Sequence, residues 1–458
     1  MIQLHEKYGP VLRIAPDELS FANAQAWQDI CGQTFAGKTA DLEKDRSFYM
    51  IAPNGVDSII TATFDVHLKF RRLLEVPLSE RAILNQEAII QGYVDLFIQR
   101  LQENAASDTD PYRTLNLVDW VTFVCFDILG DLAFGESFHC LENAKTHWWI
   151  EDIQEGVKAV FKLKTIERFV PGFFPLIMKL MLLVGTAMAK DPEENFMFCA
   201  RKARERLARS DDRPDFSASS PVFLLSSYLL TYITRANKKQ RAMTQEEIES
   251  NSQVLINAGT EPVATAICGI FFHLVSHPDA LARATREVRS AFASESDITI
   301  ASTAQQWLPY LSAVIEEGMR MYPPAPGTFP RRTPPGGCTI CGRFVPGGYS
   351  VGVNQSAVMR SSAIWIDPER YAPERWLGDP EFAADDKKAY QPFSFGPRSC
   401  IGKRLAWAEM RLILSRILWR FDPEISAESK SWNIGQKTNA FWEKVPMNVI
   451  LRPAAKSG

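Results

Sequence analysis

A helical tract without a stop signal for roughly 33 residues is the feature that most limits what this chain can become. Thr244-Gln245-Glu246-Glu247 has the form of a capping box, in which a Thr side chain and a Glu side chain satisfy each other's backbone N–H groups. No convincing terminator follows before Ser276 and Pro278. At 1.5 Å per residue such a helix is roughly 50 Å long, enough to cross a whole domain. At its middle lies NAGTEPVAT, residues 257–265, with Gly259 and Pro262 beside the acidic Glu261. Relative to alanine, glycine costs about 1 kcal/mol and proline about 3 kcal/mol in a helix interior. A chain that accepts both at one place points to a locally opened or closely approached turn.

Helical periodicity dominates from about residue 65 to 321, with breaks at Pro77, near Gly135, at 171–175 and at 211–214. Before it, VLRIA and ELSFA read as two short strands around Pro16 and Asp17. After Pro323 and Pro324 the texture changes, and RRTPPGGCTICGRFVPGGYSVGVN alternates like strands with glycine turns. IGKRLAWAEMRLILSRILWRF, residues 401–421, reads as a strong amphipathic helix, and MNVILRP closes the chain as a strand.

With 458 residues, 46% of them hydrophobic, the chain has material for a large core. Its 51 Lys and Arg against 54 Asp and Glu leave a net charge of -3, which argues against nucleic acid as a partner, since such binding draws on a basic surplus. Eight scattered cysteines are too few for a disulfide framework and fit a reducing, cytosol-facing compartment. Cys338 and Cys341 form a lone C-x-x-C with neither a second pair at zinc spacing nor a following His.

The opening residues MIQLHEKYGPVLRIAPDELSF are mixed and polar, without the pattern of a signal peptide or a membrane-spanning start. The most apolar stretch, residues 169–188, approaches spanning length but is interrupted by Pro171, Gly172, Pro175 and Lys179. It fits a surface that dips into a bilayer or caps an apolar channel, and equally a buried helix pair.

FSFGPRSCIG, residues 393–402, stands just before the late helix. Its Phe393, Gly396, Arg398, Cys400 and Gly402 match F-x-x-G-x-R-x-C-x-G, and the chain thereby resembles the cytochrome P-450 family of heme-thiolate monooxygenases. The resemblance makes Cys400 the iron ligand of heme b (iron protoporphyrin IX). Iron ligation needs the thiolate, and free backbone N–H groups feeding a helix N-terminus stabilise it. Gly396 and Gly402 let the backbone turn tightly, Arg398 is placed to pair with a heme propionate, and Phe393 to shield the sulfur. A thiolate ligand favours O–O cleavage.

Glu317-Gly318-Met319-Arg320 matches the family's E-x-x-R, a pair sharing one helix face. Its third partner in the family is an arginine of a P-E-R segment. Arg375 in APERW is expected to fill that role, and the same letters in Asp367-Pro368-Glu369-Arg370 are taken as a decoy. By the same resemblance His67 and Arg71, four apart, and Arg331 reach toward the heme, with Arg332 an open alternative to Arg331 and a solvent-facing site an open alternative for His67.

Ala258, Gly259, Thr260 and Glu261 match the family's distal motif [A/G]-G-x-[D/E]-T-[T/S], where small side chains and a broken hydrogen-bond ladder leave room for oxygen. Pro262 departs from it, standing where most members have a threonine that helps deliver protons. Thr265, a substrate hydroxyl with a water, or chemistry without ordinary protonation are the substitutes, with Pro262 as a mere kink the competing reading. Glu261 is a candidate for proton relay, since a buried carboxylate has a reason and a partner.

The resemblance, most like fungal secondary-metabolism members, implies a mainly α fold with a smaller β-rich region. It implies a single catalytic domain over 1–458, with β-rich parts about 8–25 and 329–355 plus C-terminal strands, and a helical core about 64–321 and 401–421. It implies oxidation of a lipophilic small molecule with dioxygen and electrons from NADPH cytochrome P-450 reductase, which Lys403 and Arg404 could meet. It also implies a membrane surface, at the cytosolic face of the endoplasmic reticulum. Members usually carry an N-terminal anchor that the given residues lack, which fits a shortened form. Rearrangement, dehydrogenation, ring formation or peroxide use is the alternative that Pro262 motivates. A heme sensor or carrier finds little support.

Overall fold

The computed structural model describes residues 1–32, 42–107, 109–170, 192–208, 243–439 and 441–454. The apolar stretch from 171 onward and the break at 211–214 lie outside these residues. In chain order the first half holds α1 (Ile2–Tyr8), β1 (Val11–Ala15), β2 (Glu18–Phe21), α2 (Ala24–Cys31), β3 (Glu43–Lys44), α3 (Phe64–Leu74), α4 (Glu80–Asn85), α5 (Glu87–Glu103), β4 (Leu115–Asn116), α6 (Leu117–Phe134), α7 (Cys140–Asn143) and α8 (Trp148–Phe169). The second half holds α9 (Pro192–Ala208), α10 (Gln245–Val275), α11 (Pro278–Ala291), α12 (Pro309–Met321), β5 (Arg331–Arg332), β6 (Cys338–Ile340), β7 (Arg343–Val345), β8 (Ser350–Val353), α13 (Gln355–Met359), α14 (Lys403–Arg420), β9 (Phe421–Ile425) and β10 (Asn448–Pro453).

The chain divides into two compact units. One comprises Met1–Asp45, Ile90–Cys125 and Glu261–Gly458, the other Arg46–Ile89 and Phe126–Thr260. The first unit carries the β structure. Its five-stranded sheet has the order β1-β2-β8-β5-β3, with β2 and β8 parallel and the other pairs antiparallel. Arg331 of β5 lies between Lys44 of β3 and Val351 of β8. A second sheet, β4-β10-β9, and the β6-β7 hairpin complete the set. A core of Phe21, Trp27, Ile30, Val351, Val353 and Trp365 joins the large sheet to α2, and Phe395 packs against it.

The second unit is helical. In it Lys69 of α3 reaches Glu247 of α10 at 2.8 Å, and Asn251 accepts the Ile59 N–H at 2.8 Å. Arg204 of α9 pairs with Glu249 of α10 at 2.7 Å, and the Trp149 indole N–H donates to the Asn195 carbonyl at 3.2 Å.

The capping box that opens α10 is formed: Thr244 N–H donates to the Glu247 carboxylate at 2.8 Å, and Glu247 N–H to the Thr244 hydroxyl at 3.2 Å. As the missing stop signal implies, the helix runs through Pro262, as α-helix over all 31 residues from Gln245 to Val275, so proline removes one N–H without ending the element. One expectation needs correction: α14 is not a strong amphipathic helix. Residues on all its faces are buried, including Glu409, Ser415 and Arg416, because this helix lies inside a core rather than on its surface.

Candidate active site

Glu317 organises one part of the first unit. It accepts from Arg320 Nε and Nη2, each at 2.8 Å, from Ala372 N at 2.9 Å, from the Trp376 indole at 3.0 Å and from Arg375 Nε at 3.5 Å. Glu317, Arg320 and Arg375 are all fully buried. Burial pushes the Glu317 carboxyl up, but the two arginines and the Ala372 N–H outweigh it and hold it below the usual glutamate range. Arg375 also pairs with the fully buried Asp385 carboxylate. Arg370, the decoy, is exposed and pairs with Glu381 at 2.5 Å. A charge network with no exposed member keeps α12 in one register against the chain that leads to Cys400.

That loop turns through Phe393–Gly402. Gly396 has φ +75°, and a Cβ there would lie 2.0 Å from the Cys31 carbonyl oxygen, so no other residue fits. Cys400 N–H donates to the Phe393 carbonyl at 2.8 Å, which curls the loop back on itself. Two residues later Gly402 caps α14, where a Cβ would sit 3.9 Å from Cys400 Sγ. A cavity of about 350 Å³ opens at the loop, lined among others by Glu316, Phe393, Gly396, Cys400, Lys403 and Trp407. Lys403 stands over the Phe393 ring at 5.5 Å.

The donor chemistry fits a heme. Of eight cysteines, none in a disulfide, Cys400 is the exposed one; six are buried and Cys341 is half-buried. Arg398, two residues before it, is buried at 9% exposure and Arg331 at 3%. Arg332 is engaged by the Asp45 carboxylate at 2.8 and 2.9 Å and by the Gly348 carbonyl, whereas Arg331 lies in the interior beside the Leu42 carbonyl at 3.2 Å.

His67 and Arg71 belong to α3 in the second unit. His67 is buried, not solvent-facing, and Arg71 is half-buried, 3.9 Å from Glu75. On α10, Ala258 is exposed and Glu261 and Pro262, at i+3 and i+4 on the same face, are half-buried, while Thr260 and Thr265 are fully buried. Gly259 has a packing use: a Cβ there would be 2.6 Å from a Leu129 methyl of α6. The Thr260 hydroxyl donates to the Ile256 carbonyl at 2.8 Å, so it stays within the helix.

One residue escaped sequence reasoning. Lys444, 5% exposed at its side chain, ion-pairs with Glu261 and donates to the Thr265 hydroxyl at 2.8 Å. Nothing in the local pattern of EKV marks it, because its partners lie 183 and 179 residues away. A second is Glu409, buried on α14, whose carboxyl burial pushes up to about 8. The lone C-x-x-C closes the β6-β7 turn, with Cys341 N–H donating to Asp29 at 2.7 Å and its thiol pushed up by burial to about 11. Among the described residues no cluster of three or more His, Cys, Asp or Glu could hold a metal ion.

The model of the family described as Cytochrome P450 matches residues 1–451. Among similar proteins is the cytochrome P450 monooxygenase aclL of Aspergillus oryzae, 48% identical over 451 residues, covering 98% of this chain and 87% of the relative. The cytochrome P450 monooxygenase astJ of the same species is 39% identical over 460 residues, covering 98% and 86%. Averantin hydroxylase of Dothistroma septosporum is 38% identical over 462 residues, covering 100% and 82%. A thiol loop folded in this way, in a chain matched almost end to end, leaves one conclusion: the protein belongs to the cytochrome P450 family and is an oxidoreductase of its monooxygenase kind.

Proposed function

We propose that this cytochrome P450 binds heme b through Cys400 and oxidises a lipophilic intermediate of fungal secondary metabolism. Electrons come from NADPH cytochrome P450 reductase, at the cytosolic face of the endoplasmic reticulum membrane. Heme, a reductase and lipophilic substrates are general to the family; the relatives' printed names, monooxygenase and hydroxylase, support oxygen insertion. The observation that carries the reading is the Cys400 loop, an exposed sulfur on a glycine-shaped turn at the start of a buried helix.

Bound heme supplies the activation of dioxygen. The chain's own residues do the rest. Cys400 Sγ would ligate the iron as thiolate, a negative charge that the α14 N-terminus two residues on favours. By the family resemblance Arg331, Arg398, His67 and Arg71 would hold the propionates, and Phe393 would shield the sulfur. Ala258, Gly259 and Thr260 would form the distal turn, with Glu261 the candidate for relaying protons. Lys403 and Arg404, both exposed, offer positive charge to an acidic partner.

Reduction under carbon monoxide tests the ligand: the long-wavelength Soret band of sulfur ligation is expected in the wild type and lost in Cys400→Ser. Absence of the band in intact, heme-loaded protein overturns the reading. A screen for substrates by heme spectral shift, followed by product analysis, then identifies the intermediate.

Pro262 favours a second reading, because it offers no hydroxyl. In it the heme carries out rearrangement, dehydrogenation, ring formation or peroxide use. Turnover under labelled dioxygen separates the two: label in the product supports insertion, and an unlabelled product formed without NADPH supports the second.

A further inference from the structure

Lys444 lies on the segment before β10, tied on both sides. The Trp442 indole donates to the Pro323 carbonyl at 2.8 Å, and its ring stacks on Tyr322 at 4.6 Å. On the other side Met447 N–H donates to Asn116 at 2.9 Å, and Leu117 N–H to the Met447 carbonyl at 2.9 Å. From this fixed stem the ammonium reaches the second half of α10. It contacts Glu261 Oε1 and donates to Thr265 Oγ1 at 2.8 Å, and Thr265 Oγ1 in turn donates to Glu261 Oε1 at 3.2 Å.

The hydrogen bonds therefore run in one direction, from Lys444 through Thr265 to Glu261. A free threonine hydroxyl rotates to suit its surroundings. This one, fully buried, has its lone pair turned to an ammonium and its proton aimed at a carboxylate. The three groups form one oriented unit in the turn after Pro262, a residue that carries no hydroxyl.

We propose that Lys444 is a positioning residue for the reaction: by fixing the Glu261 carboxylate and the Thr265 hydroxyl together, it enables Thr265 to supply the oriented hydroxyl that Pro262 lacks. This rests on the heme-thiolate reading above. Without Lys444 the carboxylate loses this buried ammonium partner and the hydroxyl its direction, so proton supply through Glu261 slows.

The test uses the holoenzyme with reductase and NADPH and no added substrate, following NADPH oxidation and its solvent deuterium isotope effect. Lys444→Met and Thr265→Val are each expected to lower the rate by at least about tenfold, the lower end of general acid–base effects, and to change the isotope effect. The double variant is expected to fall no further than about twofold below either single one, since linked residues are non-additive. Lys444→Arg restores most of the rate. In denaturant unfolding, Lys444→Met and Glu261→Gln are expected to be non-additive as well.

A Lys444→Met protein that is less stable but keeps the wild-type rate and isotope effect overturns the proposal, leaving a structural ion pair only. Losses that multiply in the double variant also overturn it. If Lys444→Met fails to fold, an unchanged Thr265→Val rate is decisive against it. The carbon monoxide band, expected in every variant, separates a failure of this clamp from a failure of Cys400 ligation.

Discussion

Replacing Glu317 by glutamine removes one charge from the interior and leaves the shape. The carboxylate accepts five hydrogen bonds, and no side chain of the Glu317–Arg320–Arg375 network is exposed. Arg375 keeps Asp385 as its counter-charge, but Arg320 is left with neutral partners, the carbonyls of Met359, Pro368 and Arg370 and the Met321 sulfur. Stranding one buried charge in this way costs about 3–5 kcal/mol. Unfolding entropy of about 2.1 cal/mol/K per residue, taken over 458 residues, converts that to a drop of about 3–5 °C in the melting midpoint. Arg370→Ala is the control: its pair with Glu381 is about half exposed on both sides, worth about 0–1 kcal/mol, so its midpoint moves by less than about 1 °C.

The deficit of Glu317→Gln also depends on pH. The folded carboxyl titrates below its unfolded value, about 4.3, so its stabilisation is fully present above that value. It is lost as pH falls through the folded pKa, because the unfolded chain takes up the proton first. The gap between wild type and variant in calorimetric melting therefore narrows below about pH 4.3. A Glu317→Gln midpoint within 1 °C of wild type at neutral pH, or a gap that widens on acidification, refutes the argument.

Other outcomes follow from the same structure. Arg331→Leu is expected to lower heme content with little loss of thermal stability of the heme-free protein, and Arg332→Leu to do the reverse through Asp45; heme titration and melting read both. Gly396→Ala is expected to abolish the carbon monoxide band, because the added methyl meets the Cys31 carbonyl at 2.0 Å. For Glu409, burial pushes the carboxyl up to about 8. Its folded form keeps a proton that the unfolded form has released, so wild type loses stability relative to Glu409→Gln as pH rises from about 4.3 toward 8. Denaturation midpoints of the two proteins across that range check the sign.

Much of this protein is written in short-range spacing. Thr244 and Glu247 announce the start of α10 three residues apart, and Glu317 and Arg320 meet because i and i+3 share a helix face. The Cys400 loop is legible for the same reason: its glycines, arginine and thiol sit within ten residues, and Gly396 adopts the positive φ that its type permits. The strands at 11–21 and 448–453 follow from alternation and turn residues.

What tertiary structure alone decided is long-range. Two P-E-R segments read alike but for Trp376, which favours the later one in the sequence; what buries Arg375 while Arg370 faces water is packing beside Asp385 and Trp376. Arg331 and Arg332 are neighbours that a β-strand turns to opposite faces, one inward and one to Asp45. Past its exposed start at Lys403 and Arg404, the surroundings of α14 bury residues 412–418, two full turns of a helix whose composition suggested a wet face. Lys444 meets Glu261 across 183 residues, a distance over which no local pattern carries information about which charges will share a site.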